Sequence, residues 1–257
     1  APTLTNNTIN KNGSFAISEF CDMLDSNVTG NTGSGNGTDA IEVRAAHAIN
    51  PLQSMQSSHT WISQGLYFKV EGVMHVYDDA TLTITPGCVV KFNATTGLNI
   101  GYFGPGTLIA AGTEDRPITF TSNASAPQPG DWNGIVFWNS TVDATTIMDY
   151  CTVEYGGRDT HNSNIDCDAA SPTIQNCTIR HSDGYGIYCD DNSAPTLTNN
   201  TVSNNGIYPI SLYCGILDNN VTGNTGSGNG TDAIEVRSGD ITSNRTWVSQ
   251  DLYFNVT

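Results

Sequence analysis

The chain has 257 residues, of which 9 are basic and 25 acidic, giving a formal charge of −16. Nucleic acids and anionic membranes both call for clustered Lys and Arg, so this balance disfavours them as partners, and no apolar run approaches the roughly 18 residues of a membrane span. Cations and neutral or cationic polysaccharides remain compatible with it.

Only 13% of residues are charged, and Gly, Asn, Ser and Thr are abundant. Such a composition can mean disorder. Against that, β-branched and aromatic residues recur in short strand-like runs along the whole chain.

The first elements belong to a long repeat. Ala1 to Arg44 aligns without a gap on Ala194 to Arg237, and "NVTGNTGSGNGTDAIEVR" is identical at 27–44 and 220–237. "TWISQGLYFKV" (60–70) then answers to "TWVSQDLYFNV" (246–256), seven residues out of phase because of the insert "AAHAINPLQSMQSSH". A fixed long period is the mark of an array. The pattern predicts coils ending one repeat unit over 1–60, a full unit over 61–246, and the opening strand of the next at 247–257. The start in mid-unit, with no initiator Met or signal peptide, reads as a processed or excerpted piece.

A shorter period lies inside the unit. "MDYCTV" (148–153), "IQNCTI" (174–179), "LTNNTV" (197–202) and "ILDNNV" (216–221) share one frame. Beside them run "GIVF" (134–137), "NIDC" (164–167), "GIYC" (186–189), "SLYC" (211–214) and "AIEV" (233–236). These are short segments of strand periodicity. Strands returning every ~19–26 residues between Asn/Gly/Ser/Asp turns predict a winding chain, in which coils stack and pair their strands in parallel. Ile135, Ile165, Ile187, Leu212 and Ile234 are predicted to form one inward column, and Phe137, Cys167, Cys189, Cys214 and Val236 the next.

"SPTIQNCTIRHSDGYGIYCDDNSAPTLTNNTVSNNG" resembles the right-handed parallel β-helix repeats of the pectate-lyase-like superfamily. "DATLTITPGCVVKF", "GTLIAAGTEDRPITFTS" and "GDWNGIVFW" resemble the entry module of secreted and archaeal cell-surface β-helix proteins. The resemblance implies an all-β, right-handed, single-stranded β-solenoid. It leaves function open, since this architecture hosts lyases, hydrolases, epimerases, adhesins and structural proteins.

Seven cysteines occur without a CxxC pair, so zinc and redox motifs have little support. Cys151 and Cys177 hold one turn position on consecutive coils, while Cys167, Cys189 and Cys214 hold one inward position on three. Neighbouring coils lie about 4.8 Å apart, within the roughly 4.4–6.8 Å that a disulfide spans. Bridges Cys151–Cys177 and within the inner triplet are therefore candidates, against a column of buried free thiols. Cys21, the counterpart of Cys214, could pair outside the chain.

Thirteen asparagines carry the N-x-S/T pattern: Asn6, Asn12, Asn27, Asn36, Asn93, Asn123, Asn139, Asn176, Asn199, Asn220, Asn229, Asn244 and Asn255. They point to an N-glycosylated extracellular or cell-surface protein; turn chemistry alone is the alternative.

A catalytic signature is not found. The chain has no Gly-His-Gly and no Arg-x-Lys beside Asp190 and Asp191, which the polygalacturonase-like members of the superfamily would carry. Asp166, Asp168, Asp190 and Asp191, with Arg158, Arg180, His161 and His181 in flanking turns, form the one cluster where acid, base and cation could converge. A solvated turn surface is its plainer reading. No cofactor is expected, apart from a Ca²⁺ ion that these stacked aspartates leave open. Tyr102, Phe103, Trp132, Trp138, Tyr155, Tyr185 and Tyr208 are expected to be exposed aromatics, which would either stack on sugar rings or pack loops onto the body.

Glu19 aligns with inward Leu212 and marks either a frayed end coil or a contact with another subunit. Trp247, Leu252 and Phe254 lie in a terminal strand that could be lent to a neighbour. The leading reading is a structural subunit of a surface layer, sheath or filament, assembling head to tail with itself. A polysaccharide-active enzyme, or a carbohydrate-binding adhesin module, is the alternative.

Overall fold

Alternating apolar and polar residues, cut every few positions by Asn, Gly or Asp, give strands too short to fold back on each other. Each apolar edge is buried only when the next coil lies on it. In the computed structural model, which describes residues 2–44 and 54–257, the chain winds as a single-stranded parallel β-solenoid. Among the described residues every regular element is a strand, and no helix is long and apolar enough to cross a membrane.

Three sheets form the walls. Sheet I has nine strands, sheet II seven and sheet III eight. One turn runs through Met74–Val76 in sheet I, Ala80–Ile84 in sheet II and Val89–Phe92 in sheet III. The following turns repeat this order, and every ladder in the three sheets is parallel. Residues with a left-handed backbone make the sharp corners, including Asn6, Asn176, Asn199 and Asn204 (φ 53–56°). Asparagine tolerates that conformation better than most residues.

The core is a set of columns down the axis. Leu98, Ile135, Ile165, Ile187, Ile210 and Ile234 oppose one another in turn, all essentially inaccessible. The sequence reading placed Leu212 in this column and Cys214 beside Val236. The structure moves both by two residues: Ile210 takes the column, and Leu212 opposes Val236. Cys214 falls just past its strand, with Sγ 3.1 Å from the Gly239 carbonyl. The expected triplet of stacked cysteines is thus a pair, Cys167 opposite Cys189. A slip of two keeps every side chain on its own face, so alternation alone could not detect it. The frame "ILDNNV" slips further, by five residues, because Leu197 opposes Val221 and not Ile216.

Two corners carry ladders of side-chain hydrogen bonds. Cys151 N donates to Cys177 Sγ (3.4 Å), Cys177 N to Asn200 Oδ1 (3.0 Å), Asn200 N to Asn224 Oδ1 (3.1 Å) and Asn224 N to Gln250 Oε1 (2.9 Å). At another corner Ser182 N donates to Asn205 Oδ1, Asn205 N to Asn229 Oδ1 and Asn229 N to Asp232 Oδ1. Corner backbone has no strand neighbour to bond, and buried N–H groups need partners. These side chains supply them.

The long repeat has an unexpected layout. Phe15–Phe20, Thr38–Arg44 and Tyr67–Val70 stack in sheet III, whereas their counterparts Ile210–Tyr213, Ala233–Arg237 and Tyr253–Val256 stack in sheet I. The registers nevertheless agree. Ala40 opposes Tyr67 and Val43 opposes Val70; Ala233 opposes Tyr253 and Val236 opposes Val256. Strands of one repeat type therefore change walls between the two copies, so successive units are turned by one face of the three-sided coil.

The terminal strand Tyr253–Val256 pairs within its own chain, on Ala233–Arg237, and is not lent outward here. Glu19 opposes Val43, which opposes Val70, which opposes Phe92. It therefore heads an inward column on the first rung, half-buried, where its counterpart Leu212 is fully enclosed.

Candidate functional site

The outer surface of sheet I gathers most of the chemistry. Its outward positions, read rung by rung, are His75, Asn99, Val136, Asp166, Tyr188, Ser211, Glu235 and Asn255. Strand periodicity places them there, one rung above the next.

At its centre His161 Nδ1 lies 2.6 Å from Asp166 Oδ2. Asp166 is 5% exposed, and its Oδ1 is buried without a hydrogen-bond partner. That hydrogen bond holds the His161 imidazolium above its ordinary value, against the opposing effect of burial. Burial raises Asp166, outweighing the pull of His161. Burial also raises Asp168, helped by the charges of Asp190 and Asp166. The imidazole stacks on Tyr188, with centroids 4.1 Å apart. The Arg237 guanidinium lies 4.0 Å from the Tyr188 ring and 4.4 Å from that of Tyr213, and donates to Ser211 Oγ and to the Cys189 carbonyl. With Nδ1 committed to Asp166, Nε2 is the nitrogen left to carry a proton.

Aromatic rings flank this centre. On one side His75, Tyr77, Tyr102, Phe103 and Trp138 interlock with centroids 4.5–5.5 Å apart, and Tyr102 and Phe103 stay 45% and 46% exposed. On the other Tyr185 lies parallel to Tyr208 and near Tyr188. Exposed ring faces of this kind suit the apolar faces of sugars.

Of the remaining predicted cluster, Asp190 comes beside Asp168 and Asp166, and the other groups lie apart. Arg180 sits on sheet III and donates through Nε to Glu154 Oε2 at 2.7 Å, while His181 stacks on Tyr155. Asp190 accepts from Ser193 Oγ and from two backbone amides, and Asp191 from Asn192. Arg158 is exposed, bonding through its backbone N–H to the Trp132 carbonyl. Arg180 and His181 belong to sheet III and its corner, whereas Asp190 and Asp191 follow a sheet I strand, so closeness in sequence frame did not bring these groups together. Among the described residues no three His, Cys, Asp or Glu side chains form a group able to hold a metal ion. Trp132 is also misplaced by the sequence reading: it is wholly buried, stacked on Phe92 at 4.1 Å. Tyr188 and Arg237, both central to the site, were not predicted. The repeat itself held the signal, because Arg44 lies over Phe20 in the same way that Arg237 lies over Tyr213.

All seven cysteines are buried free thiols in the structure. Burial pushes the Cys21 thiol up to about 12 and raises Cys88 and Cys151. Cys167 is raised first by its hydrogen bond with Cys189. Protonated buried thiols are poor nucleophiles.

Asp166→Asn is expected to lower the titration midpoint of His161 to or below 6.5, since the hydrogen bond that raises it is lost and burial then dominates. NMR of the imidazole checks this, and an unchanged midpoint would contradict it. The stability drawn from His161's raised value is complete below 6.5 and is lost as pH rises through that folded-state value.

Fold and surface together define a parallel β-solenoid with an aromatic, acid–imidazole face. Residues 54–167 match the family model described as pectate-lyase like beta helix domain. Sheets I, II and III continue beyond residue 167 in the same parallel ladders. No curated protein and no solved structure matches the chain.

Proposed function

We propose that this protein is a structural component of the extracellular surface, a β-solenoid whose units stack end on end into a layer, sheath or filament. One observation carries the reading: the last rung reproduces the internal junction between units in the same register, with Asn255 in the place of Lys69. At the internal junction the strand Tyr67–Val70 receives Val89–Phe92, with Phe68 opposite Val90 and Val70 opposite Phe92. Among the described residues no strand pairs on the equivalent edge of Tyr253–Val256, where Tyr253 is 59% and Val256 66% exposed. An open cleft of about 360 Å³ lies beside it, lined by Trp247, Leu252, Tyr253 and Phe254 among others. An unpaired strand edge invites a further strand.

At the other end Glu19 opposes stacking, because an inward carboxylate is costly to cover. Electron microscopy of the purified full chain tests the proposal. Rods or sheets built from units turned by one face are expected, longer in Glu19→Leu. Dispersed particles from both proteins would end it.

The carbohydrate-related alternative rests on the outer face of sheet I, where exposed rings flank the His161–Asp166 pair. It makes the chain a polysaccharide-binding module or a polysaccharide-active enzyme. Retention of neutral or cationic oligosaccharides, abolished in Tyr188→Ala, supports it; no retention by the parent chain removes it.

A further inference from the structure

Thirteen asparagines carry the glycosylation pattern, and the fold treats them unequally. We propose that four of them, Asn6, Asn139, Asn199 and Asn244, are the N-glycan attachment sites of the folded protein, and that the other nine asparagines serve the solenoid or are enclosed by it. This rests on the extracellular, glycosylated reading above.

Attachment makes the asparagine Nδ2 the nucleophile. It bonds to C1 of a sugar carried on a lipid phosphate, the C1–O bond breaks with its electron pair going to the phosphate, and one Nδ2 proton passes to a base of the transferring enzyme. The side chain must therefore reach solvent with its amide free, and it keeps a single N–H afterwards.

Asn36 Nδ2 donates to the Ile9 carbonyl (2.8 Å) and to Asp39 Oδ1 (2.7 Å). Its counterpart Asn229 donates to the Val202 carbonyl (3.0 Å) and to Asp232 Oδ1 (2.9 Å). Both amide hydrogens of each are committed, so a glycan there would sever a ladder bond. The amide groups of Asn12, Asn93, Asn123, Asn176, Asn220 and Asn255 are each bonded to the body of the solenoid as well: Asn176 to Asp149 Oδ1, Asn220 to the Pro195 carbonyl and Asn255 to the Tyr208 hydroxyl. Asn27 is half-buried with its carbonyl oxygen enclosed.

The four remaining side chains are exposed, and among the described residues no hydrogen bond engages their Nδ2. Asn6 and Asn199 stand at equivalent corners with φ of 56°. A glycine lies on the next rung over each: a Cβ at Gly30 would sit 2.2 Å from Asn6 Oδ1, and one at Gly223 2.3 Å from Asn199 Oδ1. The carbonyl thus has a glycine-cleared seat while the amide takes no partner. Asn139 follows the sheet I strand Ile135–Phe137, and Asn244 lies in the connection between Ala233–Arg237 and Tyr253–Val256. None of the four lies on the outward column of sheet I. Asn255, which does, is held by Tyr208, so the aromatic face stays clear of glycans.

Glycopeptide mapping of the full chain, secreted from a host that modifies this pattern, tests the assignment. Occupancy is expected at Asn6, Asn139, Asn199 and Asn244, at least ten-fold above that at the other nine, and the quadruple Asn→Gln variant should lose essentially all glycan mass. Substantial occupancy at Asn36, Asn229 or Asn255 would overturn the assignment while leaving the protein a glycoprotein. An unmodified chain would overturn the glycosylated reading itself, and the assignment with it.

Discussion

Asn200→Ala is expected to destabilise the solenoid by about 2–5 kcal/mol, the cost of leaving two or three buried polar groups without partners. Asn200 is fully buried. Its Oδ1 accepts from Cys177 N, and its Nδ2 donates to the Ile174 carbonyl and to Asn224 Oδ1, each at 3.0 Å. Alanine removes all three bonds and admits no water in exchange. The repeat supplies a control. Asn7 is the counterpart of Asn200 and makes the same upward bonds, to Asn31 Oδ1 from both N and Nδ2. Asn7 is exposed, however. Water can replace what it loses, and Asn7→Ala should stay within about 0.5 kcal/mol, as exposed substitutions do. Denaturant unfolding of the two variants measures the difference. Equal effects would mean that the ladder contributes nothing specific.

Trp132→Ala is expected to cost about 3–5 kcal/mol, in the range of large buried aromatics cut to alanine. The ring is inaccessible and lies parallel to Phe92, and its Nε1 donates to the Glu154 carbonyl at 2.9 Å. Removal opens a cavity between sheets and strands that carbonyl. Trp138→Ala should cost no more than about 1 kcal/mol, because the ring is half-buried on the outer surface and touches chiefly the exposed Tyr102. Thermal unfolding separates the two. A loss from Trp138→Ala as large as that from Trp132→Ala would contradict the placement.

These variants mark where reading residues succeeds and fails. Winding and parallel pairing follow from short alternating strands and regular turns, because no other arrangement buries each apolar edge. The repeat between the ends, and the match of Glu19 with Leu212, are likewise plain in the letters. The depth of Trp132 is not. It precedes the strand Ile135–Phe137, so the in–out alternation of that strand does not govern it.

The acid–imidazole site shows the same division. His161 and Asp166 were visible as a cluster, since they lie five residues apart. Tyr188 and Arg237 join them from other rungs, and no local spacing ties residue 188 to residue 237.

The class of coil, its period and its apolar faces are legible in the letters, since these depend on local alternation and on repetition. The register of Cys214, the split of Arg180 and His181 from His161, and the turn of one face between units are set by the packed fold. A two-residue slip, or a change of wall, leaves every local pattern intact. Such choices are made by contacts between rungs about twenty or more residues apart, through packing and corner hydrogen bonds that alternation does not encode.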